Sequence, residues 1–393
     1  MGRGRLTQSY QTVAVVFLNT LLLTGAVLVA LHIAFPLERS IWNQNLGGSR
    51  LSEAFVPEHY YLTGTEETRR IRQTWDDYVL DGHWQAHPWT GLINRPFSSE
   101  YLNIAEDGGR GGPAPSAEHA DQPPLVLWTF GGSTLFGWGV ADAYTVPAQL
   151  QSALQARRPD RQVRVMNFGV PWYNSTHEVT LLTAHLRNDP TPPDAVVFLD
   201  GLNDLVHRVH YRSESPLFPQ LRGAWEGRLN DLFAPPPWLR LKPSFPLFRA
   251  ALELGEPPPS TTLGGIVDPT QVADEAALVR QAADNYRLNR RLTRSICGEL
   301  GIVPFFLLQP VPMWLDEARA RNRDPRYERF AEQVLAGEDE APDVADLRGA
   351  LAPLEPRYAM SVEPDGAHYS DIAGRVLATA IADLIADRWP EDQ

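Results

Sequence analysis

A serine, an aspartate and a histidine lie in sequence contexts that suit acyl chemistry. Ser133 follows two glycines at the end of an apolar run, residues 125–130, and Asp365 lies three residues before His368 near the C-terminus. A hydroxyl is a poor nucleophile until a base takes its proton, and a histidine with a pKa of about 6.5 is neutral and able to do so at about pH 7. An aspartate beside the histidine would orient the ring. These residue types therefore indicate nucleophilic catalysis if the fold brings them together.

Two other short segments are candidates to complete such a site. Gly169 follows a second apolar stretch, and Asn203 lies in a Gly-Leu-Asn-Asp segment after a third. Backbone N–H groups and side-chain amides are the donors that stabilise charge as it develops on a carbonyl oxygen. Each motif also has an ordinary structural interpretation. Gly-Leu-Asn-Asp is usually a turn, and Asp-x-x-His is usually a helix-start carboxylate with a surface histidine.

The hydrophobic pattern predicts the elements that would position these residues. Four apolar runs have the composition of strands buried on both faces, and they alternate with segments that carry an apolar stripe at helical spacing. This alternation is typical of a parallel sheet covered by helices on both faces, with the candidate residues converging at the carboxyl ends of its strands. The predicted strands are 125–130, 163–167, 194–200 and 302–308; the predicted helices are 144–157, 176–187, a long helix from Asp268 to about Gly301, and 370–389.

Four blocks in this order resemble those of the SGNH/GDSL hydrolase superfamily: Gly131-Gly132-Ser133, Gly169, Gly201-Leu202-Asn203 and Asp365-Gly366-Ala367-His368. The resemblance covers about residues 125–390. It implies an α/β fold, a three-layer α/β/α sandwich around a central parallel sheet, and ester hydrolysis or acyl transfer through a serine acyl-enzyme. It implies no metal or organic cofactor.

The resemblance also implies a role for each matching residue. Ser133 would be the nucleophile, His368 the general base and Asp365 its partner, while the N–H groups of Ser133 and Gly169 and the amide of Asn203 would form the oxyanion hole. One position departs from the family, because Gly132 stands where an aspartate is usual, and this puts the local turn geometry in question. The α/β-hydrolase motif Gly-x-Ser-x-Gly is excluded, since Leu135 occupies its last position.

The composition excludes several classes of partner and site. The 393 residues include 35 Lys plus Arg against 48 Asp plus Glu, a net charge of −13, with no basic run that could follow a phosphate backbone, so we expect no nucleic-acid partner. The single cysteine, Cys297, excludes an internal disulfide and a multi-cysteine metal site. No recognisable metal-ligand spacing exists among the histidines His177, His185, His207 and His210.

The N-terminal stretch 13–35 is mostly apolar and has no charged residue apart from a possible proton on His32. As a helix it would span about 34 Å, which matches a hydrocarbon core of about 30 Å, so we predict a transmembrane anchor. A cleaved signal peptide and a buried core helix are the alternatives. Arg3 and Arg5 precede the span, which places the N-terminus in the cytoplasm. The sequence therefore predicts a single-pass protein of a bacterial inner membrane, with its catalytic domain in the periplasm.

Three regions are predicted along the chain. Residues 1–35 form the cytoplasmic tip and anchor, and 36–124 form an extension that leans on the catalytic domain and ends in an exposed linker, 107–124. Residues 125–393 form the SGNH-hydrolase-like domain, with a proline-rich insertion at about 213–268.

The functional prediction is an extracytoplasmic serine hydrolase that cleaves acyl or acetyl esters. An O-acyltransferase that modifies an envelope polysaccharide is the first alternative, since water and a sugar hydroxyl can resolve the same acyl-enzyme. A non-catalytic accessory subunit of a membrane assembly is the second. The expected substrate is an acyl ester such as an acylated polysaccharide or lipid, and the sequence identifies no protein partner. Three aromatic residues near the site in sequence are candidates for an acyl or sugar pocket, or for packing: Trp138, Trp172 and Tyr173.

Overall fold

The computed structural model describes residues 66–80, 82–114, 122–189, 191–209, 274–312, 325–336, 344–354 and 367–388, with a few residues between positions 15 and 24. The chain divides into two compact units, Met1–Arg50 and Leu51–Gln393. The predicted insertion at 213–268 and the predicted triad residue Asp365 lie outside the described residues.

The described residues of the first unit are helical, and their large apolar side chains are exposed: Val15, Phe17, Leu18 and Leu23. Most of the predicted span 13–35 lies outside the description. Within the described ranges, no helix is both long enough and apolar enough to cross a bilayer. The anchor therefore stays a prediction.

The second unit begins with small elements that precede the main sheet. They are helix α1 (Glu66–Leu80), the antiparallel pair β1 (Trp84–His87) and β2 (Gly91–Asn94), and the antiparallel pair β3 (Phe97–Ser98) and β4 (Asn103–Ile104). Helix α1 packs through Trp75 and Tyr78 against Phe136, which belongs to the segment after Ser133. The extension thus shares an apolar cluster with the chain that carries the candidate nucleophile.

Five parallel strands form the central sheet: β5 (Leu125–Gly131), β6 (Val163–Asn167), β7 (Ala195–Asp200), β8 (Val303–Leu308) and β9 (Val344–Asp346). Their order is β6-β5-β7-β8-β9. The helices are α2 (Ser133–Phe136), α3 (Val146–Arg157), α4 (Ser175–Asn188), α5 (Leu202–Val209), α6 (Glu275–Leu300), α7 (Pro325–Leu335) and α8 (Asp371–Arg388).

Each face of the sheet carries its own apolar core. Helices α3 and α8 cover one face, where Leu127 and Leu199 are buried, and helices α4 to α7 cover the other. On that second face Phe130, Phe198 and Phe306 stack across neighbouring strands, with ring centroids 5.2 and 5.4 Å apart. Burying each ring contributes about 1.5–3 kcal/mol. The result is the predicted three-layer α/β/α arrangement around a parallel sheet.

The predicted elements agree with the structure in most places. The four predicted strands are confirmed to within one residue, and β9 adds a fifth that the sequence did not predict. The predicted start of the long helix at Asp268 is wrong, because α6 begins at Glu275 and Asp274 caps it by accepting from the N–H of Ala276. The prediction relied on Asp268 followed by Pro269, a pair typical of a helix start. The residue that caps α6 is instead Asp274, which no proline follows.

The predicted exposed linker 107–124 is also wrong in part. Residues 108–110 are buried, and the N–H of Arg110 donates to the carbonyl of Asn167 at 2.8 Å, at the end of β6. The described residues of this stretch belong to no helix or strand, and residues 108–110 are held by contacts with the sheet and its loops.

Candidate active site

The structure brings Ser133 and His368 together across 235 positions of chain. Ser133 is the first residue of α2, directly after β5, and its Oγ lies 2.9 Å from Nε2 of His368. Both side chains are half-buried, so a base and a hydroxyl are in contact and still accessible. Asp365 lies outside the described residues, and its role as the partner of His368 stays a prediction.

Glycines set the position of Ser133. A Cβ on Gly131 would lie 2.7 Å from Cβ of Leu135 and 2.9 Å from the carbonyl oxygen of Leu199, on the neighbouring strand β7. Strand β5 can therefore turn sharply into α2 while staying packed against β7, since no side chain occupies this corner. The turn leaves Ser133 at the carboxyl edge of the sheet, where the sequence placed it.

His368 is held by the two residues that follow it. The hydroxyl of Tyr369, whose side chain is buried, donates to the carbonyl of Pro310 at 2.8 Å, just beyond the end of β8. Ser370 caps α8 by accepting from the N–H of Ala373 at 3.1 Å. The histidine is thereby fixed between the sheet edge and the start of the last helix.

Asn203 also reaches this edge. It lies in the first turn of α5, and its Nδ2 donates to the carbonyl of Tyr173 at 2.7 Å. A Cβ on Gly132 would lie only 2.4 Å from that Nδ2. A side chain at position 132 would therefore require the amide of Asn203 to move from its place beside Ser133.

Gly169 is close to the site, but its N–H is engaged elsewhere. That N–H donates to Oδ1 of Asn167 at 3.0 Å, and a Cβ on Gly169 would lie 2.5 Å from the backbone nitrogen of Phe136. Close approach to α2 therefore accounts for the glycine. Its predicted contribution to an oxyanion hole stays a prediction, and this hydrogen bond argues against it.

The N-terminal extension holds the loop that contains Gly169 and Tyr173. Asn94, at the end of β2, is fully buried, and its Nδ2 donates to the carbonyl of Gly169 at 2.9 Å. The hydroxyl of Tyr173 donates to Oγ1 of Thr90 at 2.6 Å and also contacts the carbonyl of Leu92. The loop beside Ser133 is thus fixed from the side of the β1–β2 pair, which the sequence had not connected with the site.

Arg110 holds the chain that leaves α2. Its side chain is fully buried, and its guanidinium donates to the carbonyls of Phe136 at 2.7 Å, Gly137 at 2.6 Å and Val140 at 2.6 Å. It also pairs with Asp142 at 2.8 Å. The planar guanidinium suits this task because it offers five N–H donors in fixed directions. Sequence reasoning missed Arg110, since it lies in a glycine-rich stretch without periodicity.

A buried carboxyl cluster lies directly behind Asn203. Burial raises the pKa of Asp200 to about 8 and that of Asp204 to about 6, while burial and the neighbouring Asp200 raise the pKa of Glu178 well above its ordinary value. Asp204 accepts from the hydroxyl of Ser175, which in turn accepts from the amide of Asn289 at 2.9 Å. The cluster thereby connects α4, α5 and α6 behind the site.

The carboxyl cluster does not form a metal centre. Across the described ranges, no three or more His, Cys, Asp or Glu side chains are placed to hold a metal ion. The raised pKa values mean that the cluster retains protons that free carboxyl groups would lose, which lowers the charge buried behind α5.

The three candidate pocket aromatics differ in exposure: two are accessible to solvent and the third is buried. Trp138 is half-buried, with its ring 6.3 Å from that of His368, and Trp172 is exposed. Tyr173 is buried and serves to hold the loop. The two indoles are therefore the aromatic groups that a substrate could reach.

Comparison with known proteins gives structural similarity and no sequence match. No family model matches the chain, and no curated protein matches it. The chain is similar in structure to a putative lipolytic protein of the G-D-S-L family from Desulfitobacterium hafniense DCB-2, at 12% identity, 66% of this chain, 99% of that chain and TM-score 0.34. It is also similar to a lipase/acylhydrolase from Enterococcus faecalis, at 16% identity over 68% of this chain and 98% of that chain, with TM-score 0.37. An acetylxylan esterase from Geobacillus stearothermophilus is similar at 17% identity over 68% of this chain and 97% of that chain, with TM-score 0.35.

We predict that Arg110→Ala lowers the free energy of unfolding by about 3–5 kcal/mol, because it leaves three carbonyls and a carboxylate without their buried donor. Arg110→Lys keeps the charge but not the fixed fork of donors, so it recovers only part of the loss. Urea unfolding of both variants measures the effect. Arg70→Ala is the matched control: Arg70 is also paired with a carboxylate and lies over a tyrosine ring, but it is exposed. A loss from Arg110→Ala no larger than that of the control, under about 1 kcal/mol, would contradict this role.

Proposed function

We propose that this protein hydrolyses carboxylic esters through an acyl-enzyme on Ser133. The observation that supports it most strongly is the 2.9 Å contact between Oγ of Ser133 and Nε2 of His368 at the carboxyl edge of the sheet. This distance lies within the range needed for proton transfer from a nucleophile to its base. The resemblance of the four sequence blocks to the SGNH/GDSL hydrolases agrees with the same assignment.

The reaction would proceed in two steps. His368 takes the proton of Ser133 as Oγ attacks the carbonyl carbon, and then gives it to the leaving alcohol, so that an acyl-enzyme remains. A water molecule, activated by the same histidine, attacks the acyl group and releases the acid. Asp365 would hold His368 in the required tautomer.

Negative charge develops on the carbonyl oxygen in both steps. The N–H of Ser133 is in the first turn of α2, where no carbonyl of the helix accepts it. The amide of Asn203 has two N–H groups, of which one donates to Tyr173, so the other can donate to the oxyanion. These two donors form the proposed oxyanion hole.

Hydrolysis is preferred over the two alternatives for different reasons. The contact between Ser133 and His368 supports a catalytic protein over an accessory subunit, since a subunit that only keeps the fold needs no paired nucleophile and base. An O-acyltransferase would form the same acyl-enzyme and resolve it with a sugar hydroxyl. Product masses in the presence of a polysaccharide acceptor separate transfer from hydrolysis.

We further propose that residues 13–35 anchor the protein in the bacterial inner membrane, with the catalytic domain in the periplasm. The support comes from the mostly apolar composition of this stretch, which has no Asp, Glu, Lys or Arg, and from Arg3 and Arg5 before it. This position would give the enzyme access to esters of the cell envelope.

The full-length protein, purified in detergent, is expected to react with a fluorophosphonate and to release acid from an activated short-chain ester. Ser133→Ala abolishes both, because the attacking oxygen is gone, and gel fluorescence with a pH-stat assay measures them. Ser152→Ala is the control and retains both, since its hydroxyl only donates to a carbonyl within α3. Labelling that persists in Ser133→Ala would place the nucleophile elsewhere.

Asn203→Ala is expected to lower turnover by about 10²–10³-fold, which corresponds to the loss of about 2.7–4 kcal/mol of transition-state stabilisation. Turnover per folded molecule and melting temperature are measured together. Gln151→Ala is the matched control, because this buried amide also makes hydrogen bonds but donates to the carbonyl of Pro113 and accepts from the N–H of Val165, outside the network around Asn203. The control lowers the melting temperature and keeps turnover. Retention of more than about a third of turnover in Asn203→Ala excludes the oxyanion role.

A reporter that is active only outside the cytoplasm is expected to be active when fused after Gln393. The physical reason is the positive charge at positions 3 and 5, which is retained on the cytoplasmic side of the first span. Exchange of both arginines for glutamate should weaken this orientation. Activity of a cytoplasm-only reporter at the same position would contradict the proposed topology.

A further inference from the structure

Helix α5 contacts the loop after β6 through two side chains that lie one helical turn apart. The amide of Asn203 donates to the carbonyl of Tyr173 at 2.7 Å. His207 is buried four residues farther along the helix, and its ring centroid lies 6.4 Å from the nearest ring of Trp172. Residues four apart lie on the same face of a helix. The two side chains therefore face the same loop.

His207 makes a hydrogen bond with the backbone of that loop. Burial lowers the pKa of His207 to about 4, and a hydrogen bond with the backbone of Trp172 raises it in part. A bond that raises the pKa of a histidine is one that the ring donates, so the carbonyl of Trp172 is the acceptor. Helix α5 thus binds two consecutive carbonyls, that of Trp172 through His207 and that of Tyr173 through Asn203.

The loop depends on such bonds because its backbone is strained at Trp172. The N–H of Tyr173 donates to the carbonyl of Val170 at 3.0 Å, which closes a four-residue turn. Trp172 is the third residue of this turn and has φ 70°, a conformation that favours glycine or asparagine. A residue persists in such a conformation only where its surroundings hold it there. The hydrogen bond from His207 acts on the strained residue itself.

The direction of the Asn203 amide depends on this turn. The two N–H groups of the amide lie in one plane, so the bond of one to the carbonyl of Tyr173 sets the direction of the other. Tyr173 directly follows the strained residue, and rotation of the backbone at Trp172 would move its carbonyl. The second N–H would then turn away from the oxyanion, which it must approach to about 2.7–3.1 Å.

We propose that His207 is a positioning residue of the oxyanion hole, which fixes the turn at Trp172 and thereby the direction of the Asn203 amide. This inference rests on the proposed function, since it adds a residue that acts through the Asn203 donor. The role is indirect: His207 orients the donor and takes no part in proton transfer.

The test separates the donated hydrogen bond from the packing of the ring. His207→Phe keeps a flat ring and has no donor, whereas His207→Asn keeps a donor and loses the ring. In the full-length protein, His207→Phe is expected to lower kcat for the activated ester by about threefold to tenfold, with KM nearly unchanged, because the misplaced donor acts in the transition state. His207→Asn retains more of kcat than His207→Phe, even if its melting temperature is lower.

A second comparison shows whether the effect passes through Asn203. In protein that carries Asn203→Ala, His207→Phe is expected to cause no further fall in kcat, because the group that it positions is gone. Val209→Ala is the matched control: Val209 is buried on the same helix and packs only in the apolar core. This control lowers the melting temperature and keeps kcat.

Two results would overturn the proposal: the same fall in kcat from His207→Phe with and without Asn203, or a lower kcat in His207→Asn than in His207→Phe. Hydrogen exchange of residues 170–175, followed by mass spectrometry, tests the contact without catalysis. Faster exchange in His207→Phe, with Val209→Ala unchanged, supports the bond to the turn, and equal exchange refutes it. An absence of ester hydrolysis in the wild-type protein would instead refute the proposed function, and the exchange rates would still decide whether His207 holds the turn.

Discussion

Close packing of three loops at the carboxyl edge of the sheet is the constraint on which the candidate site depends. The amide of Asn203 occupies the space where a side chain of residue 132 would be, and the backbone of Phe136 occupies the space beside Gly169. Because a side chain at position 132 would displace the amide of Asn203 and one at position 169 would displace the backbone of Phe136, the two glycines permit the distances around Ser133. The position of Ser133 relative to Asn203 therefore depends on the absence of side chains at Gly132 and Gly169.

This packing also makes the N-terminal extension part of the site. Asn94 and Thr90 hold the loop after β6, and Arg110 holds the segment after α2, so both segments beside Ser133 are bound from the same side. Every donor in this set is buried, where an unmade hydrogen bond costs far more than at the surface. A chain that began at β5 would lose these contacts, although the sequence resemblance covers only that later part.

Behind the loops, polar groups replace part of the apolar core. Asp200 ends β7, Asp204 lies next to Asn203, and burial raises the pKa of both. Asp204 accepts from Ser175 at the start of α4, so the first turns of two helices are connected at the site. Because Asp204 and Ser175 are both buried, an arrangement that separates them leaves polar groups without their partner.

The sequence by itself determined strands β5 to β8, helices α3, α4 and α8, most of α6, and the two residues that meet, Ser133 and His368. These follow from local signals, because a strand buried on both faces shows an uninterrupted apolar run and its end shows glycine. Only the tertiary structure decided the role of Arg110, the hydrogen bond that engages Gly169 and the positive φ of Trp172. Each of these depends on atoms that distant segments bring together, and no pattern of neighbouring residues records such contacts.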